Sequence, residues 1–128
     1  MRVLLVDDDP DIVDVVKRGL EMLGLPVDAF VDPEKALQAF RPDTYDIAIL
    51  DVRMPRLNGF QLYREILKRD DKVRVRFFTA FEEFREEFKR AFPDLVERRF
   101  IKKPTTIGKI AEVLLADLKM DVKSFIQR

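Results

Sequence analysis

Two apolar runs in this chain end in carboxylates. Val3-Leu4-Leu5-Val6 leads into Asp7-Asp8-Asp9, and Ile47-Ala48-Ile49-Leu50 leads into Asp51. Two further strand-like runs end near Thr79 and Lys103. Carboxylates gathered at strand ends suit a hard divalent cation. Mg2+ prefers octahedral oxygen coordination and keeps several waters, so one or two protein carboxylates suffice. Asp8 is the best candidate for a direct ligand, and Asp7 binds directly or through water. Asp51 supplies a third carboxylate oxygen, and the backbone carbonyl of Arg53 completes the protein's share. The same ion would neutralise phosphoryl oxygens during a transfer. On this reading Asp51 is the nucleophile, because carboxylates form acyl phosphates in phosphotransfer chemistry. Lys103 places a compact positive charge near the phosphoryl group, and Thr79 offers it a hydroxyl. Acids at a strand-to-helix junction also cap helices and complement their dipoles, and Asp9 and Asp11 are assigned to that role.

The elements that must position these groups alternate along the chain. Residues 3–6 form a continuous apolar run, as expected of a strand covered on both faces. A helix follows from about Pro10, with Ile12, Val16, Leu20 and Leu23 on one face and Gly24 at its end. Residues 26–31 read as a second strand. Asp32 caps a short helix reaching about Phe40, and 46–50 is a third strand. Asn58-Gly59 marks a turn before a helix whose face carries Phe60, Tyr63, Ile66 and Leu67. Residues 73–79 form the fourth strand. Phe81, Phe84, Phe88 and Phe92 recur at helical spacing and read as core, and 96–101 is the fifth strand. Thr105 or Thr106 caps a last helix containing Ile107, Ile110, Val113, Leu114 and Leu118. Five strands alternating with five helices predict an α/β fold with a doubly wound parallel sheet. In such sheets ligands bind beyond the carboxyl ends of the strands, which is where Asp7, Asp8, Asp51, Thr79 and Lys103 fall.

Composition narrows the class. The chain has 128 residues, expected as one domain over 1–118 with 119–128 prolonging the last helix. It carries 24 basic and 24 acidic residues, and this balance argues against a nucleic-acid or membrane surface. With no cysteine, disulfides and zinc–thiolate sites are excluded. The absence of histidine excludes His-based triads and a phosphodonor role. No apolar run approaches membrane-spanning length, and a cytoplasmic protein is expected.

Val6-Asp7-Asp8-Asp9, Leu50-Asp51-Val52-Arg53-Met54-Pro55 with Asn58-Gly59, Phe78-Thr79-Ala80 and Lys103-Pro104 stand in an order that resembles the receiver domain of two-component response regulators. The resemblance covers nearly the whole chain and is closest in kind to stand-alone receivers of the chemotaxis type. It implies a flavodoxin-like sheet in the order 2-1-3-4-5. Asp51 then looks like the acceptor of a phosphoryl group from a histidine kinase or histidine phosphotransfer protein, with Mg2+ held by Asp7 and Asp8. Thr79 and Phe100 look like the switch hydroxyl and switch aromatic, and Lys103 like the family's lysine. The face formed by the fourth helix, fifth strand and fifth helix would be re-shaped for a downstream protein effector, and it is a candidate homodimer contact. The domain would not be an enzyme, beyond weak self-dephosphorylation.

Some features depart from the usual pattern. Arg74 and Arg76 interrupt a strand that should be buried, where charge is costly unless it pairs or snorkels out. The Asp51–Thr79 interval is slightly short and the Thr79–Lys103 interval long. Phe81 is bulky for the mouth of the site, and the Gly-Ala pair common before the fifth strand is missing. These features bear on switching and partner choice. A degenerate receiver used as a scaffold is the rival, opposed by the intact Asp/Asp/Asp/Thr/Lys set. A Mg2+-dependent phosphohydrolase is disfavoured, because Arg53 stands where such enzymes place a second acid. A piece cut from a larger regulator also fits the sequence.

Overall fold

In the computed structural model, β1 (Val3–Val6), β2 (Val27–Phe30), β3 (Ile47–Leu50), β4 (Arg74–Thr79) and β5 (Phe100–Lys102) form one sheet in the order β2-β1-β3-β4-β5. Every neighbouring pair is parallel. The helices are α1 (Pro10–Met22), α2 (Pro33–Ala39) and α3 (Gly59–Arg69), with a further helical run over 107–114. The structure describes residues 2–79, 90, 100–103, 106–114 and 116. The expected helix carrying Phe81, Phe84, Phe88 and Phe92 therefore lies outside the described residues, as do Pro104, Thr105, Leu118 and the expected extension over 119–128.

Burial on both faces explains the continuous apolar strands. Leu4, Val6, Ala48, Leu50, Val75 and Phe77 pack with Ala36 of α2 and Phe60, Leu62 and Ile66 of α3. Val3, Leu5, Ile47, Ile49 and Phe78 pack on the other face with Val16 and Leu20 of α1 and Ile110 and Leu114. A strand's side chains alternate, so a run buried on both sides cannot show a polar stripe. β4 differs: half-buried Arg74 and Arg76 alternate with buried Val75 and Phe77. The two arginines stand beside Ile47 and Ile49 in register, and only part of each side chain is withdrawn from water. Keeping part of each side chain in water lowers the expected cost of charge in this strand.

Local chemistry sets the helix starts. Asp9 caps α1 by accepting from the N–H groups of Asp11 (2.9 Å) and Ile12 (3.4 Å). Asp32 caps α2 by accepting from Glu34 N–H at 2.9 Å. Thr106 caps the last helical run by accepting from Lys109 N–H at 3.1 Å. Asn58, at the turn expected before this helix, is the N-cap of α3. Its Oδ1 accepts from Gln61 N–H at 2.9 Å, and Gln61 Oε1 accepts from Asn58 N–H at 2.9 Å. Two further details differ from the periodic reading. Leu23 is the C-cap of α1 and is 58% exposed; Leu25, past Gly24, packs against the core in its place. On α3 the buried face includes Leu62, while Leu67 is only half-buried.

Phe77 is the keystone of the α3 face. Its ring meets Phe60 at 5.2 Å and Tyr63 at 5.6 Å, both edge to face, and it is fully buried. Phe77→Ala is expected to destabilise the domain by about 3–5 kcal/mol in urea unfolding. A loss below about 1 kcal/mol would mean that α3 does not pack on β4 as described.

Candidate functional site

The parallel sheet brings the carboxyl ends of β1, β3 and β5 to one edge. The first two residues past β1 are Asp7, buried at 1% exposure, and Asp8, which faces solvent. Asp51 follows β3 and is 6% exposed. Its N–H donates to the carbonyl of Val6 at 2.8 Å, so the β1–β3 ladder continues up to the acids themselves. Asp7 N–H donates to Phe30 O at 3.1 Å, and Asp7 Oδ1 accepts from Asp9 N–H at 3.0 Å. One carboxylate oxygen from each of Asp7, Asp8 and Asp51 lies within 4.8 Å of the others.

Lys103, the residue after β5, enters this group from the far side of the sheet. Its Nζ donates to Asp7 Oδ2 at 2.8 Å and stands 3.6 Å from Asp51 Oδ2. The ammonium also sits 4.9 Å above the centroid of the Phe78 ring. Among the described residues, three carboxylates and the Lys103 ammonium meet in this cup. Burial pushes the Asp51 carboxyl up to about 7, helped by the charges of Asp7 and then Asp8, while Lys103 opposes the rise. An all-oxygen donor set that strains against its own charge fits Mg2+, which needs few protein ligands and would relieve the repulsion.

The loop from β3 to α3 is held at both ends. Gly59 N–H donates to Val52 O at 2.9 Å. A Cβ on Gly59 would press into the Asp51 carbonyl oxygen and lie 2.9 Å from its carbonyl carbon. Glycine is therefore required for α3 to start directly against the Asp51 peptide. Arg56, in the left-handed region at φ 69, reaches back to Asp32 Oδ2 (3.3 Å) and Glu34 Oε1 (3.6 Å) at the start of α2. These contacts are exposed, so they orient the loop more than they stabilise it.

The structure thus brings together Asp7, Asp8, Asp51 and Lys103. Arg53 lies in the loop two residues after Asp51, with its side chain exposed. Thr79 ends β4 beside Lys102, and Phe100 opens β5 beside Phe77. Phe81 lies outside the described residues. Two contacts escaped the sequence reading: Gly59 against Asp51, and Phe78 beneath Lys103. The first had a signal in Asn58-Gly59; the second had none.

A family profile described as the response regulator receiver domain matches residues 3–115. The chain belongs to that family. Among curated relatives, the transcriptional regulatory protein RprY of Bacteroides fragilis is 29% identical over 103 residues, covering 78% of this chain and 44% of the relative. The chain spans less than half the length of such curated relatives. A CheY-like receiver domain protein from Methanospirillum hungatei shares the fold with a TM-score of 0.81 at 24% identity, covering 96% of this chain and 97% of that one. The response regulator TrrA of Thermotoga maritima, solved with Mg2+ and beryllofluoride, superposes with a TM-score of 0.74 at 26% identity, covering 90% and 96%. This receiver therefore has the expected five-stranded flavodoxin-like sheet, and it is a response regulator component of two-component signalling. Among its described residues, no helix is long and apolar enough to cross a membrane.

Two predictions follow from the packing and charge of the cup. The carboxyl of Asp51 takes up its proton more readily folded, near 7, than unfolded, near the ordinary 3.8 of an aspartate. Between those values the folded state binds more protons, so stability falls as pH rises from about 4 to about 7. Without divalent ions, Asp51→Asn should remove this slope and raise stability at pH 8 by about 1–3 kcal/mol, read by chemical denaturation across pH. An unchanged slope would place Asp51 in water, away from the other acids. Gly59→Ala should cost about 1–3 kcal/mol by overpacking against the Asp51 peptide; a neutral result would show that the loop yields freely.

Proposed function

We propose that this receiver accepts a phosphoryl group on Asp51 from a histidine kinase or histidine phosphotransfer protein and signals by changing the surface it offers to a downstream protein. One observation carries the reading: three carboxylates from the ends of β1 and β3 share a 4.8 Å neighbourhood, with the Lys103 ammonium bonded to Asp7 and 3.6 Å from Asp51.

An Asp51 carboxylate oxygen attacks phosphorus, and the bond from phosphorus to the donor's imidazole nitrogen breaks. The electron pair leaves with the imidazole, and the product is a mixed carboxylic–phosphoric anhydride. Bound Mg2+ would neutralise charge on the phosphoryl oxygens. Asp8 would hold it directly, Asp7 directly or through water, with Asp51 and the Arg53 carbonyl completing the protein's ligands. With its carboxyl pushed up to about 7, Asp51 is only partly ionised near neutral pH, and a cation in the cup would favour the carboxylate that attacks. Lys103 Nζ stands 3.6 Å from Asp51 Oδ2, where its charge would meet the transferred group.

Thr79 offers its hydroxyl to that oxygen, and Phe100 follows as the switch aromatic. Both stand on the strands next to the cup: Thr79 is the last residue of β4 and Phe100 the first of β5. The expected fourth helix, β5 and the last helix would form the surface that contacts the effector and a second copy of the domain. The receiver works in the cytoplasm, binds no nucleic acid or membrane itself, and loses its phosphoryl group by slow self-catalysed hydrolysis. The intact acidic set and its lysine support a working phosphoacceptor over a scaffold.

Incubation with Mg2+ and a small phosphodonor such as acetyl phosphate tests this by intact-mass spectrometry. One phosphoryl group is expected on the wild type, none on Asp51→Asn, and none when Mg2+ is chelated. A wild-type mass that never changes, or an adduct that survives Asp51→Asn, would refute the assignment.

A further inference from the structure

We infer that Phe78 is a positioning residue for Lys103, its ring face holding the ammonium where it can serve Asp7 and Asp51 alike. The inference rests on the phosphoacceptor reading of the site and adds to it a residue in the sheet. Phe78 is 5% exposed and packs with Ile101, its register neighbour on β5 and two residues before Lys103. The Lys103 side chain is itself largely covered, at 19% exposure. Its Nζ has Asp7 Oδ2 at 2.8 Å, Asp51 Oδ2 at 3.6 Å and the Phe78 centroid at 4.9 Å. That last distance is inside the range where a ring quadrupole attracts a cation, and withdrawal from water strengthens the attraction.

Lysine suits this arrangement poorly by itself. Its four-carbon stem is flexible, and its charge is a point without the planar fork that fixes an arginine. Ordering such a side chain costs rotamer entropy. A hydrogen bond to Asp7 alone would hold it in the resting cup, but that bond must lengthen when a phosphoryl group on Asp51 draws the ammonium across. The ring's attraction depends weakly on the angle of each N–H, so it survives a small swing and counts for more once the Asp7 bond has lengthened and no longer holds the ammonium. Phe78 thus keeps the lysine near both acids and offsets part of the cost of leaving Asp7. Being an apolar floor, it also keeps water from competing for the ammonium.

Beryllofluoride, a stand-in for the phosphoryl group, gives the test. Phe78 is replaced in the full chain by 4-fluoro- and 3,4,5-trifluorophenylalanine, which drain the ring face of negative potential with little change in size. Affinity for beryllofluoride in saturating Mg2+ is measured by calorimetry, in the wild-type and Lys103→Ala backgrounds. The dissociation constant should rise stepwise with fluorination, by about threefold to tenfold at the trifluoro ring. The steps should vanish in Lys103→Ala. Phe78→Tyr should bind like wild type, and Phe78→Leu like the trifluoro protein. A flat series in a protein that binds beryllofluoride would overturn the role of Phe78 alone, as would a trend that survives Lys103→Ala. A wild-type chain that binds no beryllofluoride would overturn the phosphoacceptor reading together with it.

Discussion

Repulsion among Asp7, Asp8 and Asp51 is the constraint around which this domain is arranged. Three carboxylates, with one oxygen of each within 4.8 Å of the others and two of them nearly sealed from water, repel one another in the folded chain, whereas unfolding separates and hydrates them. The backbone imposes the arrangement. The ladder between β1 and β3 runs on through the bond from Asp51 N–H to Val6 O, and the Asp51 peptide is pressed from the other side by Gly59. The energy to hold the acids there comes from the sheet, whose strands are buried on both faces. Lys103 offsets part of this charge. A cup built this way is poised toward cations and toward any chemistry that consumes negative charge at its floor.

The two faces of the sheet divide the work. α2 and α3 cover the face on which Phe77 locks β4 to α3. α1 and the helical run 107–114 cover the other, where Phe78 underlies the ammonium. Adjacent residues of one strand thus serve packing on one side and the site on the other. On the proposed function, an event at Asp51 would reach β4 through Phe78, whose ring centroid lies 4.9 Å from the Lys103 ammonium. A two-state element biased by local charge needs such a shared component.

Much of this was legible in the residues because chemistry and topology agreed. Continuous apolar runs marked strands covered on both faces, and acids or lysine directly after them could only fall along one edge of a parallel sheet. Asp9 and Asp32 were readable as caps because their side chains act on neighbours in sequence. Where reasoning missed, it did so for stated causes. Leu23 kept the helical period but fell at the cap, where the chain turns away and Leu25 takes the apolar place. Asn58-Gly59 suits a turn and a helix start equally, since the same Asn side chain serves both. The deeper reason for Gly59 lies in the Asp51 carbonyl that faces it, which no local pattern contains. Phe77 and Phe78 are identical in sequence terms; only the register with β5 decides which of them meets Lys103.

On the proposed function, the cup of Asp7, Asp8 and Asp51 takes the divalent ion. Titrating Mn2+ into isotopically labelled protein and following paramagnetic broadening of backbone amides measures this directly. The account predicts early, selective loss of the amide signals of Asp7, Asp8, Asp51, Arg53 and Lys103. Broadening scattered over surface acids such as Asp14, Glu21 and Asp43, with residues 7, 8 and 51 unaffected, would contradict it.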